Sequence, residues 1–257
     1  MSSFSLPKSI SKMYIHTGNV LNANDLTQKA GQNSTEEIVE CLNTCLSNRP
    51  SPYSMNEKSF HLKCEECYNN NIEEEHEALR TGVKIFLTSN EVNHLEDALK
   101  NLFQELNYGV IDSVILAFNH GKDTLLADLL TLWAVLESYV NKQKITRIGV
   151  SDVDTELFIS LYNNSIIKPT IVQINLNSCC VVPASLQEFT KDNDVQLLTH
   201  SDSYEILPHS CLVEIFEKQS EVNLRTPKLE WIIRYLTHVK CRGVLASKGY
   251  IVCLKCL

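Results

Sequence analysis

The sequence has no long hydrophobic run and no basic tract. None of its apolar stretches approaches the roughly 18 residues that a membrane-spanning helix needs, and residues 1–18 lack the charged and apolar regions of a secretory signal. Acidic side chains outnumber basic ones by 31 to 23, so the net charge is −8, which argues against a nucleic-acid or anionic-membrane surface. We therefore expect a cytoplasmic protein whose partners include no nucleic acid and no membrane.

A G-x-G-x-x-G motif is also missing after every predicted strand, although strands are the clearest feature of the sequence. Five short β-rich runs begin at Val83, Asp112, Ile145, Ile171 and Val195. Successive starts lie 24 to 33 residues apart, which leaves room for one helix and two loops in each interval. This βα repeat predicts a parallel sheet, in a (β/α)8 barrel or a doubly wound sheet, and the missing motif weakens the doubly wound alternative.

Apolar residues at helical spacing predict helices between the strands. One set comprises Val92, Leu95, Leu99, Leu102, Phe103 and Leu106. A second set follows a Thr-Pro start signal at 226–227 and comprises Leu229, Ile232, Ile233 and Leu236. Ser151 and Asp154 are spaced like a capping box, which predicts a helix over the following residues TELFISLY.

Residues 46–81 differ from the rest of the chain. The stretches SNRPSPYSMNE and NNNIEEEHE are turn-rich and charged, and only FHLKCEECY between them resembles a strand. We predict an irregular loop or insertion at 46–81 within a single domain that covers residues 1–257.

Three strand-end blocks resemble the aldo-keto reductase superfamily, a family of (β/α)8 barrels. RIGVSDVD (147–154), VQINLNSCC (172–180) and VQLLTHSD (195–202) are similar to its fifth, sixth and seventh strands. The resemblance implies an aldo-keto-reductase-like α/β barrel of the TIM type, with a truncated C-terminus.

Longer blocks resemble one group in particular, the modifier, or regulatory, subunits of glutamate–cysteine ligase. These blocks are IHTGNVLN (15–22), IDSVILA (111–117), NLNSCCVVP (175–183), QLLTHSD (196–202) and RGVLASKGYI (242–251). They occur in order over most of the chain, from about residue 12 to residue 251. The resemblance therefore covers the chain as a whole and not one motif.

The resemblance implies that the catalytic tetrad of the reductases is lost. The histidine expected at the end of their fourth strand matches Ala117, and the lysine expected after the third strand matches Asn90. No Asp is followed five positions later by the Tyr of the reductase acid. The phosphate-binding segment that the reductases carry after their eighth strand is also missing. Lys248 is the one residue there that could contact a phosphate, and a solvated lysine is the simpler interpretation of it. We expect no catalytic residues and no cofactor.

The implied function is regulatory. Such a chain forms a heterodimer with the catalytic subunit of glutamate–cysteine ligase, improves its use of glutamate and relieves feedback inhibition by glutathione in glutathione biosynthesis. The alternative is an NADP-dependent aldo-keto oxidoreductase with a rearranged active site.

Three residues are candidate contacts with that partner. Cys179 and Cys180 follow a predicted strand at the end where barrels place their sites, although two buried thiols in a turn are an alternative. His200 lies where the reductases carry an aromatic residue that stacks on nicotinamide, or it is simply a polar residue at a strand end.

The cysteines and histidines offer little evidence of a metal site. Two C-x-x-C pairs, Cys64 with Cys67 and Cys253 with Cys256, could hold zinc if they met, but they are far apart in sequence. The histidines have no metal-ligand spacing. We expect no metal and keep a zinc-binding scaffold as a third alternative.

Overall fold

The computed structural model describes residues 10–22, 32–47, 54–55, 58–64, 78–118, 125–176, 181–219 and 226–256. The strands are β1 (Lys12–His16), β2 (Ser54–Met55), β3 (Ser59–Lys63), β4 (Leu79–Leu87), β5 (Ile111–Phe118), β6 (Ile145–Ser151), β7 (Ile171–Asn175), β8 (Gln196–His200), β9 (Lys228–Val239) and β10 (Leu245–Lys255). The helices are α1 (Ser34–Ser47), α2 (Val92–Leu106), α3 (Leu126–Asn141), α4 (Thr155–Asn164), α5 (Ala184–Asp192) and α6 (His209–Gln219), and Val20–Asn22 forms one 3₁₀ turn.

The described strands form one mixed sheet, in the order β2-β3-β1-β10-β9-β4-β5-β6-β7-β8. Strands β4 to β8 are parallel, and each is joined to the next by one helix. Strands β9 and β10 form an antiparallel hairpin between β4 and β1. The short connection at 240–244 includes Gly243 at φ 62°, and a connection of this length joins only antiparallel strands.

Two hydrophobic clusters lie on opposite faces of this sheet, because successive strand residues point to opposite sides. The first packs α2 to α5 against side chains such as Val83, Ile85 and Leu116. The second packs α1 and α6 against side chains such as Met13 and Val252. On the second face, however, β4 and β6 to β8 carry polar side chains near their carboxyl ends, and this break in the apolar pattern marks the site described below.

The α/β class and the five βα starts predicted from the sequence are confirmed. Among the described residues, β4 to β8 form a run of five parallel strands, and β1 and β3 form a further parallel pair. Antiparallel β9 lies beside β4, where a (β/α)8 barrel has another parallel strand. None of the helices seen in the described ranges is long and apolar enough to span a membrane.

The helix predicted over Leu229–Leu236 is wrong, because this segment is β9. Trp231, Ile232 and Ile233 are consecutive and fully buried, with neighbours on both faces of a central strand. A strand that is apolar on both faces contains residues at every spacing, including the helical one, so periodicity alone misleads.

The structure modifies two smaller predictions. The helix α4 begins as expected, but its N-cap is Asp154, whose carboxylate accepts a 2.7 Å hydrogen bond from the Leu157 amide, and Ser151 takes no part in it. Within the predicted irregular segment 46–81, the described residues include β2, β3 and the start of β4. Residues 65–77 lie outside the described residues.

Candidate functional site

A cavity of about 1000 Å³ opens at the carboxyl ends of the parallel strands. Its walls are mostly apolar and include Phe86, Ala117, Ile174 and Leu229. The polar lining includes Asp152, Asn175 and Asp202. This volume is at the upper end of the range of small-molecule pockets, and its position is the one at which parallel α/β folds place their sites.

Asp202, just beyond β8, is the centre of a buried ion cluster beside this cavity. Its carboxylate accepts two hydrogen bonds from Arg234 of β9, one of them 2.9 Å long, and another of 2.9 Å from Lys84 of β4. Asp202 and Lys84 are each only 4% exposed. Burial alone would raise the pKa of Asp202, but His200, Arg234 and Lys84 outweigh burial and hold it far below its usual range.

His200, at the end of β8, lies between two carboxylates. Its Nε2 is 2.9 Å from Asp152 Oδ1, and its Nδ1 is 3.1 Å from Asp202 Oδ2. Burial disfavours the imidazolium, but the hydrogen bonds with Asp152 and Asp202 outweigh it and raise the pKa of His200. The ion cluster, defined as Lys84, Asp152, His200, Asp202 and Arg234, is neutral when His200 is neutral.

Asp152 adopts a backbone conformation that is unusual for a residue with a side chain. Its φ is 62°, in the left-handed region, which Asp tolerates better than most residues. The turn directs its carboxylate back toward the sheet, where it accepts a 2.8 Å hydrogen bond from Ser151 Oγ. Strained backbone of this kind is concentrated at functional sites.

Ser151 is connected to His200 and Asp202 as in a catalytic triad, but its hydroxyl is not accessible to a substrate. Ser151 Oγ lies 3.2 Å from His200 Nε2, and His200 Nδ1 faces Asp202. Ser151 is 0% exposed, and its hydroxyl is committed to Asp152. A substrate carbonyl cannot reach this oxygen, so Ser151 is not placed to act as a nucleophile.

The helix α1 is attached to the ion cluster by its first residues. Ser34 Oγ donates a 2.6 Å hydrogen bond to Asp202, and Thr35 Oγ1 bonds to Ser203 at 2.9 Å. One turn later, Glu37 accepts hydrogen bonds of 2.6 Å from both Lys248 and the Tyr250 hydroxyl. Lys248, considered above as a phosphate ligand or a solvated side chain, is thus an ion-pair partner of α1.

The structure brings only some of the sequence candidates to the cavity. Ala117 lines it, His200 belongs to the ion cluster beside it, and Asn90 is exposed at the start of α2. Cys179 and Cys180 lie outside the described residues. The sequence reasoning missed the other four members of the ion cluster. For two of them the signal was a charged residue inside an apolar strand: Lys84 in VKIFL and Arg234 in WIIRYL.

The two C-x-x-C pairs do not come together in the described residues. Cys64 packs in the second hydrophobic cluster and Cys253 in the first, on opposite faces of the sheet. Cys67 lies outside the described ranges. A single four-thiolate site built from both pairs is therefore not formed by the thiols that the structure describes.

One group in the described residues has metal-ligand atoms within reach of each other: Asp97, Glu230 and Cys253. Lys12 already supplies a cation there, with Nζ 3.1 Å from Asp97 and 2.8 Å from Glu230. Tyr14 also donates its hydroxyl proton to Asp97. Lys12 therefore forms half-buried ion pairs with Asp97 and Glu230, and its ammonium group already provides the positive charge that a metal ion would bring.

The two comparisons of the sequence with known proteins agree with each other. A sequence model of the aldo/keto reductase family matches residues 25–220. The chain is 33% identical over 254 residues to the glutamate–cysteine ligase regulatory subunit of Rattus norvegicus, covering 94% of this chain and 92% of the rat protein. The corresponding subunit of Homo sapiens is 32% identical over 252 residues, covering 93% and 91%. Among solved structures, an aldo/keto reductase from Brucella melitensis aligns with 52% of this chain and 51% of its own, at 18% identity and a TM-score of 0.39.

Proposed function

The chain belongs to the aldo/keto reductase family, in the group of glutamate–cysteine ligase regulatory subunits, and we propose that it binds the catalytic subunit of that ligase and regulates it. The observation that carries the proposal is the similarity to regulatory subunits along 94% of the chain. The proposed assembly is a cytoplasmic heterodimer, with no cofactor and no metal contributed by this chain.

The chemistry at the cavity supports a role without catalysis. Where the resemblance to the reductases would require a histidine and a lysine, the chain has Ala117 and Asn90, neither of which can transfer a proton at neutral pH. The polar groups beside the cavity are already bonded to each other, and Ser151 is inaccessible. In this proposal the ion cluster holds β4, β6, β8, β9 and α1 together and does not act on a substrate.

Regulation of this kind requires only selective binding. If the chain binds the catalytic subunit better in the conformation that uses glutamate efficiently, it raises the population of that conformation. The gain is limited by the difference in affinity for the two conformations. Relief of inhibition by glutathione follows if the favoured conformation binds glutathione more weakly.

The proposed partner contacts differ in the part that each can play. Cys179 and Cys180 remain candidates for direct contact, since they come soon after β7 in the sequence and β7 ends beside the cavity. The His200 side chain is only 7% exposed, so its proposed contribution is to position Asp152 and Asp202 beneath the surface.

The decisive experiment is the initial rate of γ-glutamylcysteine synthesis by the purified catalytic subunit, measured across a glutamate titration with and without this chain. A lower apparent KM for glutamate in its presence is expected, and a repeat with added glutathione tests the relief of inhibition. An unchanged curve from an active catalytic subunit would contradict the proposal.

A second candidate function rests on the cavity itself, whose volume of about 1000 Å³ could admit part of a nucleotide. An oxidoreductase with a rearranged site would bind NADPH there. A fluorescence titration of NADPH with the purified chain separates the two candidates, and we expect no saturable change. Saturable binding together with turnover of an aldehyde would favour the oxidoreductase.

A further inference from the structure

A basic surface lies at the amino ends of the parallel strands, at the opposite end of the sheet from the cavity. The segments that lead into β5, β6 and β7, at 107–112, 142–147 and 165–171, contribute to it, and so does the connection from β9 to β10 at 240–244. Together these segments contain a single acidic residue, Asp112, although acidic residues outnumber basic ones by 31 to 23 in the chain. The basic end is defined as the six basic residues of these segments: Lys142, Lys144, Arg147, Lys168, Lys240 and Arg242.

The segments that carry the basic end are held side by side. The Ile111 amide donates a 2.9 Å hydrogen bond to the Lys144 carbonyl, and β6 pairs directly with β7. On the other side, the Lys240 amide donates a 2.8 Å bond to the Ala78 carbonyl, which attaches the β9–β10 connection to the start of β4. Because neighbouring strands lie about 4.8 Å apart, the surface from β9 to β7 is roughly 19 Å wide.

Three side chains of the basic end are bonded to uncharged groups. Lys168 Nζ donates to the Ser165 carbonyl at 2.9 Å. Lys144 Nζ donates to the Gly109 carbonyl at 3.5 Å, and Arg147 donates to a side-chain amide oxygen at 3.2 Å. These bonds fix the side chains without neutralising their charge. The helices α2 to α5 also end here, but their dipoles amount to about half a unit charge each and offset only part of the positive excess.

Exposed aliphatic side chains lie on the same segments. Val110, Ile166 and Val244 are 52%, 87% and 56% exposed. Ile166 is held in this position, because its amide and the next amide both donate 2.8 Å hydrogen bonds to the buried carboxylate of Glu137. One exposed apolar residue is ordinary, but three of them among six basic residues are typical of a surface that binds another chain.

We propose that the basic end binds a short acidic segment of the ligase's catalytic subunit, whose apolar side chains contact Val110, Ile166 and Val244. The inference rests on the proposed function, because it names a surface through which that partner binds. About six residues of extended chain would span the roughly 19 Å of this surface.

The range of electrostatic forces favours a short acidic segment over a long polyanion. At physiological ionic strength charges act over about 8 Å, so such a segment is attracted by the basic end more than it is repelled by acidic residues elsewhere. A nucleic acid or an anionic membrane extends beyond the basic end and meets the rest of a chain whose net charge is −8. Charge complementarity therefore identifies the occupant as an acidic protein segment.

Neutralisation of lysines tests the charge contact. A first variant, the basic-end variant, replaces three exposed lysines of the basic end: Lys142→Gln, Lys144→Gln and Lys168→Gln. The matched control replaces three exposed lysines on α2 and at the other end of the sheet: Lys100→Gln, Lys228→Gln and Lys255→Gln. Both variants have the same net charge, so any difference between them reports the local charge of the basic end.

The readout is the association of the full-length chain with the purified catalytic subunit. We expect the basic-end variant to associate about tenfold more slowly than the parent chain, and the control to differ from it by less than about twofold. Raising the NaCl concentration from about 0.05 M to about 0.3 M should weaken binding of the parent and control chains more than binding of the basic-end variant.

A second pair of variants tests the apolar contact and remains informative if the basic-end variant folds poorly. Ile166→Asp places a negative charge among the basic residues, whereas Tyr204→Asp places one at an exposed residue beside the cavity. We expect Ile166→Asp to weaken binding about fivefold and Tyr204→Asp by less than about twofold. The melting temperatures of both variants should be close to that of the parent chain.

The outcomes separate this inference from the proposed function. If the parent chain fails to bind the catalytic subunit, the proposed function is wrong and the inference falls with it. If the parent chain binds and neither the basic-end variant nor Ile166→Asp binds more weakly than its control, the function stands and the basic end is overturned as a contact. The same holds if the basic-end variant loses only binding to phosphatidylserine vesicles, since the occupant is then a membrane.

A further variant examines the acidic residues of the chain itself. Residues 65–77 contain six glutamates and directly precede β4 in the sequence. If glutamine at Glu73, Glu74 and Glu75 lowers the melting temperature of the free chain as much as the basic-end variant does, these residues pair with the basic end within one chain, and the inference is overturned. Unchanged melting temperatures in both variants are expected.

Discussion

Arg234 donates two hydrogen bonds to the carboxylate of Asp202, Nη1 to Oδ1 and Nη2 to Oδ2, and so joins β9 to the segment after β8. Lys84 donates to the same carboxylate from β4. The buried Lys84 and the largely buried Arg234 thus depend on a single anion for most of their charge compensation.

Replacement of Asp202 is therefore expected to lower the free energy of unfolding substantially. Asp202→Asn leaves Lys84 and Arg234 buried without their main partner, and we expect a loss of about 3–5 kcal/mol in the free energy of unfolding, measured by urea denaturation. Asp192→Asn, at the exposed end of α5, is the control and should have little effect. Equal losses in the two variants would show that the ion cluster is not a structural centre.

Gly249 of β10 lies where no side chain fits. A Cβ at this position would be 2.2 Å from both the Gly18 carbonyl oxygen and the Tyr235 hydroxyl. Gly249→Ala should therefore destabilise the fold by roughly 1–3 kcal/mol, measured as a lower denaturation midpoint. Gly109→Ala is the matched control, because nothing lies within 4 Å of its Cβ, and the two midpoints should differ clearly.

The burial of His16 predicts that the folded chain loses stability in mild acid. Its Nδ1 is 3.2 Å from Glu105 Oε2 but outside hydrogen-bond geometry, so this buried nitrogen has no hydrogen-bond partner. Burial, with smaller effects of His61 and Lys63, lowers the pKa of His16 from 6.5 to about 3. The unfolded chain takes up a proton below pH 6.5 that the folded chain refuses until about pH 3, so stability falls as the pH drops between these values.

The expected contribution of His16 is about 2 kcal/mol between pH 6.5 and pH 5, at roughly 1.4 kcal/mol per pH unit. His16→Gln should show a shallower pH dependence of the unfolding free energy than the parent chain over this range. The slope is the readout, because it is independent of the overall cost of the substitution. Parallel curves for the two proteins would contradict the assignment.

Ser151→Ala distinguishes a buried structural hydroxyl from a nucleophile. One hydrogen bond to Asp152 is lost, at a cost of about 1 kcal/mol in stability. Stimulation of the catalytic subunit by saturating Ser151→Ala chain should equal that of the parent. Loss of stimulation by a folded variant would indicate that this hydroxyl has a chemical role after all.

The sequence predicted the parallel part of the fold well because each strand and helix there has its own local signal. The strand runs are bounded and evenly spaced, and α2 keeps a regular apolar stripe that ends at Asn107 in the left-handed conformation. The prediction failed at β9 because both faces of this strand are buried in the folded chain. The apolar residues Trp231, Ile232 and Ile233 are therefore consecutive and show no strand periodicity.

The site was predicted only in outline, since its bonds connect residues far apart in the chain. His200 was identified, but Lys84 and Asp202 are separated by 118 positions and Arg234 and Asp202 by 32. No local pattern links such residues. A charged residue within an apolar strand signals only that some partner must exist, because an unpaired buried charge is too costly.

The hairpin of β9 and β10 can join the sheet only late in synthesis of the chain. It lies in the middle of the sheet, yet the ribosome makes it after β1 to β8. Until residues 228–255 are released, the nascent chain holds two separate pieces of sheet, β2-β3-β1 and β4 to β8, with open edges on β1 and β4. Translation that stops before residue 228 therefore yields a product in which β1 and β4 lack the central strands that pair with them.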